Sequence, residues 1–312
     1  MAPPVWVVGN IPVMPRCRWG ALLVLVTVSV LVPAPASAWG FAAHKFIMGR
    51  AIDLLPAEIR PFFIEHRDEL VVRVVDPDLW RNVGWEDDPN HFVNFGAPEF
   101  GPYPFTALPR EYGAALQKFG QAALKRGGTL PWREEEQFGN LRRTFEGFAK
   151  GAAYGSSDAI LFAAVASHYV QDATQPLHAS NNYDGQLTGQ RGIHVRFERD
   201  LMERFESRLT VSPAAPRSIA SARDLAFDTL LASHQLVAPV LAADKEAVGS
   251  RDVYDDAYFE AFFQKAKPIL EERLSVAITL TASIISSAWE QAGKPSLKNG
   301  APRPLQRVER AR

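Results

Sequence analysis

HYVQDATQPLHASNNYDGQLTGQRGIHVRFE, residues 168–198, holds three of the seven histidines together with Asp172 and Glu198. His168 and Asp172 are four apart, as are His194 and Glu198. On a helix, residues i and i+4 stand one above the other on one face. Each pair therefore predicts a two-toothed metal clamp. His178 falls between them, on a tight turn expected after Pro176. Neutral imidazole together with carboxylate suits zinc and related divalent ions.

Outward from this stretch, nearly every segment reads as helix. AILFAAVASHYVQD (159–172) is apolar on most sides and predicts a central helix, with Ser156 and Ser157 as its caps. A carboxylate in such a helix is costly without a partner, and a metal is the natural partner for Asp172. The polar, glycine-containing 181–192 predicts a loop, and 191–209 a helix carrying the second clamp. Two long helical patterns follow, at 219–241 and 254–291. Upstream, apolar spacing predicts a helix over 42–55 ended by Pro56, another over 56–69 with a kink or restart at Pro61, and further helices over 109–126 and 134–153. There is no internal repeat and no convincing strand. The expected fold is all-α, a single multi-helix domain.

One segment breaks the pattern. DPDLWRNVGWEDDPNHFVNFGAPEFGP (76–102) is rich in Asp, Asn, Gly and Pro and reads as a long loop. A loop that long is functional or disordered, and Trp80, Trp85, Phe92 and Phe95 argue against disorder.

The chain has 312 residues, 47% hydrophobic, enough for a substantial core in one or two domains. A net charge of −1 gives no global field for nucleic acid or an anionic membrane. Cys17 is the single cysteine, which excludes an internal disulfide framework. Arg16 and Arg18, the run ALLVLVTVSVLV and then PAPASA have the order of a secretory signal cut after Ala38. The run is shorter than the roughly 20 apolar residues of a membrane span. Translation from Met1 or from Met14 is compatible with this signal. The expected organisation is a signal over 1–38, a helical domain over 39–292 and a basic, disordered tail over 293–312. The expected location is secreted or periplasmic.

The other histidines divide by context. His66, in the charged run EHRDE, and His234, without an acidic partner at helical spacing, read as ordinary surface or packing residues. His44 follows the expected cleavage point at the start of a helix. His91 lies in the aromatic segment, downstream of Asp76 and Asp78. Both histidines look drawn to the 168–198 stretch.

Taken in order, Trp39 after the cleavage site, His44, DPDLWR, NHFVNF, HYVQDATQPLH and HVRFE resemble the zinc-dependent phospholipase C family. That family shares its fold with the secreted zinc-dependent single-strand nucleases. The resemblance covers 39–209 by ordered motifs and extends to 291 only by helical character. It implies a helical domain whose cleft holds three zinc ions. The amine and carbonyl of Trp39, with His44, would hold one. Asp172 would bridge it to a second, completed by His91, His168 and an aspartate of DPD. Asp76 and Asp78 both fit that last position, and the spacing of Asp78 to Arg81 is the closer to the family pattern. His178, His194 and Glu198 would hold the third.

The resemblance also implies a hydrolase of phosphoric esters, most simply a phospholipase C-type phosphodiesterase using zinc-bound hydroxide. Asp78 and Asp172 would be catalytic, and Arg81 and Asn94 would face the substrate. Glu198 resembles the phospholipase branch, since the nucleases usually have Asp there. Asn94 stands where the nucleases usually carry an acid. The expected partner is thus a phosphodiester, phospholipid ahead of single-stranded nucleic acid, with transient contact to a membrane surface and no protein partner implied. A zinc nuclease and a non-catalytic zinc-binding relative are the alternatives.

Overall fold

The computed structural model describes residues 39–152 and 155–297, the side chain of Asn82 excepted. The expected signal over 1–38 and the tail beyond 297 lie outside the described residues. Within them all regular structure is helical, with no strand, and the chain is a single all-α domain.

Trp39 and Gly40 lead into α1 (Phe41–Asp53). A Cβ on Gly40 would stand 3.0 Å from that of Arg199, so the chain enters the fold in close contact with the later 193–205 segment. The stretch expected as one helix with a kink at Pro61 is two, α2 (Arg60–Glu65) and α3 (Arg67–Arg73). Pro61 sits in the first turn of α2, where its missing N–H costs nothing.

The 76–102 segment is not simply a loop. It begins with α4 (Asp76–Asn82). Pro77 in its first turn presets the helical φ, and Asp76 and Asp78 complement the positive end of the helix. Asp, Asn, Gly and Pro suggested a loop by composition, but in DPDLWRN they occupy the positions that start a helix. Short 3-10 turns at Asp88–His91 and Pro98–Phe100 order the remainder.

The helix expected over 109–126 is broken at Gly120 (φ 75°) into α5 (Tyr112–Phe119) and α6 (Gln121–Gly127). Next come α7 (Leu130–Ala149) and α8 (Gly155–Asp172). Ser156 and Ser157 lie within the first turn of α8 and do not precede it as caps. A 3-10 turn follows at Pro176–Ala179. The second clamp lies on α9 (Ile193–Val195), a π turn (Arg196–Asp200) and α10 (Leu201–Phe205). The pattern over 219–241 is two helices, α11 (Ala222–His234) and α12 (Val237–Val248). In a continuous helix Pro239 could not donate to the Gln235 carbonyl and its ring would strike it, so the chain breaks at 235–236. Last is α13 (Asp256–Gln291), which continues through Pro268.

Helix α8 is central. It packs on α1, α3, α7 and α13 and touches α4. The larger apolar core runs from Trp39, Ile47 and Phe63 to Phe197, Phe262 and Ile285. A smaller one lies under the 92–132 region, around Phe95, Phe100 and Trp132. Residues at the start of the expected tail are packed: Trp289 Nε1 donates to the Pro295 carbonyl at 2.9 Å, and Leu297 is buried.

Residues 209–219 form an irregular strap along α13. Its backbone N–H groups at Thr210, Ser212, Ala214, Arg217 and Ile219 donate in turn to the side chains of Glu271, Ser275, Thr279, Ser283 and Ser287. The acceptors are four apart on the helix, about 6 Å of rise. Two extended residues cover about 6.6 Å, so every second amide meets an acceptor. After Ala214 the next donor would be Pro216, which has no N–H. The pattern therefore skips to Arg217.

Candidate metal centre

The C-terminal end of α8 projects His168 and Asp172 into a buried space reached by four other segments. His44 arrives from α1, Asp78 from α4, His91 from a 3-10 turn, and His178 from the turn after α8. All five, with His194 and Glu198, are buried. Three groups of candidate ligand atoms lie within 4.8 Å of one another: His44, His168 and Asp172; Asp78, His91 and His168; His178, His194 and Glu198.

Asp172 is the hub. Its Oδ1 is 3.4 Å from His44 Nε2 and 3.6 Å from His178 Nδ1. Its Oδ2 is 2.9 Å from His91 Nδ1 and 3.2 Å from His168 Nε2. One carboxylate thus faces four imidazoles, two per oxygen. Glu198 Oε2 lies 3.0 Å from His194 Nε2 and 3.7 Å from His178 Nε2. The ring of His178 spans the two carboxylates.

Outer partners set the ring tautomers. His44 Nδ1 donates to Gln171 Oε1 (2.6 Å), His168 Nδ1 to the Val74 carbonyl (2.8 Å) and His194 Nδ1 to the Tyr183 carbonyl (3.0 Å). Each acceptor holds the proton on Nδ1 and leaves Nε2 for the centre. His91 is turned the other way. Its Nε2 donates to Asp87 Oδ2 at 3.0 Å, so Nδ1 faces inward. Tyr169, Asn90 and Arg133 also donate to Asp87. Gln175 spans the last group, its amide donating to Glu198 Oε2 at 2.9 Å and its Oε1 accepting from the Leu177 amide.

A metal fits these side chains. Buried polar atoms normally find partners, yet His44 Nε2, Asp78 Oδ2, Asp172 Oδ1, His178 Nδ1, His194 Nε2 and Glu198 Oε1 have no hydrogen-bond partner. All six belong to the three groups. Imidazole nitrogens and carboxylate oxygens are the donor set of zinc and related divalent ions.

The remaining expected residues are placed as follows. Asp76 is outside the three groups and pairs with Arg73 at 3.5 Å, so of the two loop aspartates Asp78 is the one brought to the centre. Trp39 is fully buried beside it, its indole Nε1 donating to the Gln171 carbonyl (2.9 Å) and Thr174 Oγ1 (3.1 Å). His168 lies within reach of both the His44 and the Asp78 groups, whereas the resemblance gave it to one. His66 packs on Phe62. His234 donates through Nδ1 to the Ala179 carbonyl. Neither joins the centre.

Arg81 and Asn94 line a cleft of about 310 Å³ that opens over His91, His178 and His194. Arg81 is paired with Asp78 at 3.4 Å and with Asp88. Asn94 donates to the Arg126 carbonyl at 2.9 Å, and its Oδ1 has no hydrogen-bond partner. Asp87, Gln171 and Gln175 were not anticipated. Asp87 precedes His91 by four residues, the same interval as the two clamps, and that was the available signal.

Charge in the centre is balanced by proximity. Burial opposes ionisation of Asp172, yet the neighbouring His168 and His178 hold it well below the usual carboxylate range. Burial would lower the pKa of His91, but hydrogen bonds to Asp172 and Asp87 outweigh this and raise it from 6.5 to about 9. Asp87, despite burial, is lowered to about 2 by His91 and its other donors.

The sign of the pH effect follows. The folded pKa of His91 exceeds its unfolded value, so its contribution to stability is complete below about pH 6.5 and lost as pH rises through about 9. A metal needs that nitrogen bare, and binding must release the proton. Metal-free protein should therefore melt at a lower temperature at pH 9 than at pH 6.5. Zinc affinity, measured by competition with a chelator, should rise over the same interval. An affinity that stays flat would remove His91 from the ligand set.

No family model matches the chain, and no curated protein matches it. The fold and site define an all-α protein with three buried histidine–carboxylate groups able to hold metal ions.

Proposed function

We propose that this protein binds three zinc ions in the cleft and hydrolyses phosphoric esters, acting as a phospholipase C-type phosphodiesterase. The observation that carries the proposal is Asp172, whose two oxygens each face a pair of histidines drawn from four segments. The motif resemblance supplies the reaction class. His44 and Asp172, with the main chain of Trp39, would hold one ion; Asp78, His91, His168 and Asp172 a second; His178, His194 and Glu198 a third. Zinc, when bound, lowers the pKa of water to about 7 and so supplies hydroxide at neutral pH.

The chain's own residues do the rest. Asp78 has one oxygen engaged by Arg81, while its Oδ2 is buried without a partner and can accept a proton. Arg81, tied to Asp78 and Asp88, holds a guanidinium edge at the cleft wall against phosphate oxygens. Asn94 presents an unpaired Oδ1. Phe92, Leu177 and Tyr183 give the cleft an apolar side that excludes water around an ester.

Chelation tests this reading. After dialysis against a chelator, turnover of bis-p-nitrophenyl phosphate should fall to background and return on adding zinc. Full turnover by metal-free protein would end the proposal. Side-by-side assays of a phospholipid, single-stranded DNA and a phosphate monoester then assign the substrate. DNA as the preferred substrate would place the protein with the nucleases.

A further inference from the structure

We infer that Arg126 is a specificity-determining residue of this cleft, binding a second negative charge carried by the substrate beyond the ester phosphate. The site would then take phosphate esters with an anionic head group and disfavour those with a quaternary ammonium. This inference rests on the phosphodiester reading above.

Arg126 lies in the last turn of α6 and lines the cleft with His91, His178 and His194. The turn that carries it is bound to the segment that carries His91. The Arg126 carbonyl accepts from Asn94 Nδ2 at 2.9 Å, and the Gly127 carbonyl accepts from the Asn94 amide at 2.7 Å. The Thr129 amide donates to the Pro89 carbonyl at 2.6 Å. Gly128 has φ +94°, and a Cβ there would stand 2.1 Å from the Phe92 carbonyl oxygen. The backbone under Arg126 is thus fixed relative to the centre, although the side chain itself is exposed.

Its charge sets it apart from its neighbours. Arg81 across the cleft is compensated by Asp78 and Asp88. Lys125 is paired with Glu86 and lines a different cavity. Among the described residues no carboxylate pairs with Arg126. Three divalent ions and the carboxylates of Asp78, Asp172 and Glu198 would already leave the filled centre at about +3, with neutral histidines. One scissile phosphate cannot neutralise that, and Arg126 adds a further positive group at the lip. Phe92 and Tyr183 also line the cleft, and aromatic faces attract quaternary ammonium groups. An unpaired guanidinium beside them opposes such a cation and matches a planar carboxylate or a second phosphate.

The test uses calorimetry on the zinc-loaded protein with three probes that share a phosphate ester: phosphoglycolate, ethyl phosphate and phosphocholine. Phosphoglycolate is expected to bind about tenfold more tightly than the other two, the gain of one charge-assisted contact. In Arg126→Gln the three affinities should converge, and Arg126→Lys should recover part of the difference. No preference in the unsubstituted protein, or a preference that survives Arg126→Gln, overturns the inference. Turnover of bis-p-nitrophenyl phosphate by the unsubstituted protein separates the two readings. Turnover without the charge preference leaves the phosphodiester reading standing and removes this one. An Arg126-dependent preference without turnover does the reverse.

Discussion

Asp172→Asn should leave a helical protein that binds fewer zinc ions and turns over bis-p-nitrophenyl phosphate on the order of 10³-fold more slowly. That factor is the upper end of what removing one preorganised electrostatic group costs. An asparagine keeps the shape but has one acceptor oxygen and one NH2. Whichever way it turns, either His44 and His178 or His91 and His168 meet a donor in place of a carboxylate oxygen. A bridging role between two ions needs both oxygens. The negative charge is lost as well, and with it the strongest influence favouring protonated His91. Metal content by atomic absorption and helicity by circular dichroism separate the outcomes. Full zinc content with normal turnover would show that Asp172 is not a ligand.

Asp244→Ala should cost about 3–5 kcal/mol, the usual price of stranding a buried charge. For a domain of this size that is roughly 6–20 °C in melting temperature. Asp244 is fully buried. Its Oδ1 accepts from Arg196 Nη2 at 3.0 Å and from the Tyr258 hydroxyl, and its Oδ2 accepts from Gln190 at 2.7 Å. Arg196 also donates to the Arg191 and Gln190 carbonyls and lies under the Tyr254 ring. Without Asp244 the guanidinium stays buried with no anion. Arg196 sits midway between His194 and Glu198, in the π turn that aims Glu198, so the same change should loosen the third metal group. A double variant, Arg196→Met with Asp244→Leu, should regain much of the stability, because a well-packed apolar pair can replace a buried ion pair. Equal losses in the single and double variants would assign the effect to packing.

The elements legible in the sequence are those whose evidence is local. The apolar run before His168 specified a central helix, and the i, i+4 pairs placed both clamps before any contact was known. His44, His91 and Asp78 joined them through motif order, not periodicity. What local spacing did not reveal has long-range causes. Gln171 reaches His44 across 127 residues, and Val74 reaches His168 across 94. The splits at Gly120 and at 235–236 were readable from Gly and Pro chemistry, but helical periodicity masks short interruptions. Helix α4 was missed for the opposite reason, since a composition typical of loops also supplies the first turn of a helix. Asp87 was missed although its interval to His91 repeats that of the clamps, because attention to the aromatic residues around it outweighed one more acid.

The strap on α13 has a consequence for how this part of the chain can vary. Each rung needs only a side-chain oxygen at a four-residue interval, and serine, threonine and glutamate all serve at the five positions seen. Chemical identity at a rung is therefore interchangeable, while chain length between rungs is not. An inserted residue would shift every later amide from the acceptor side to the outer side, and only a residue without an N–H, as at Pro216, lets the count change by one. The segment behaves as a length code, tolerant of spelling and intolerant of spacing.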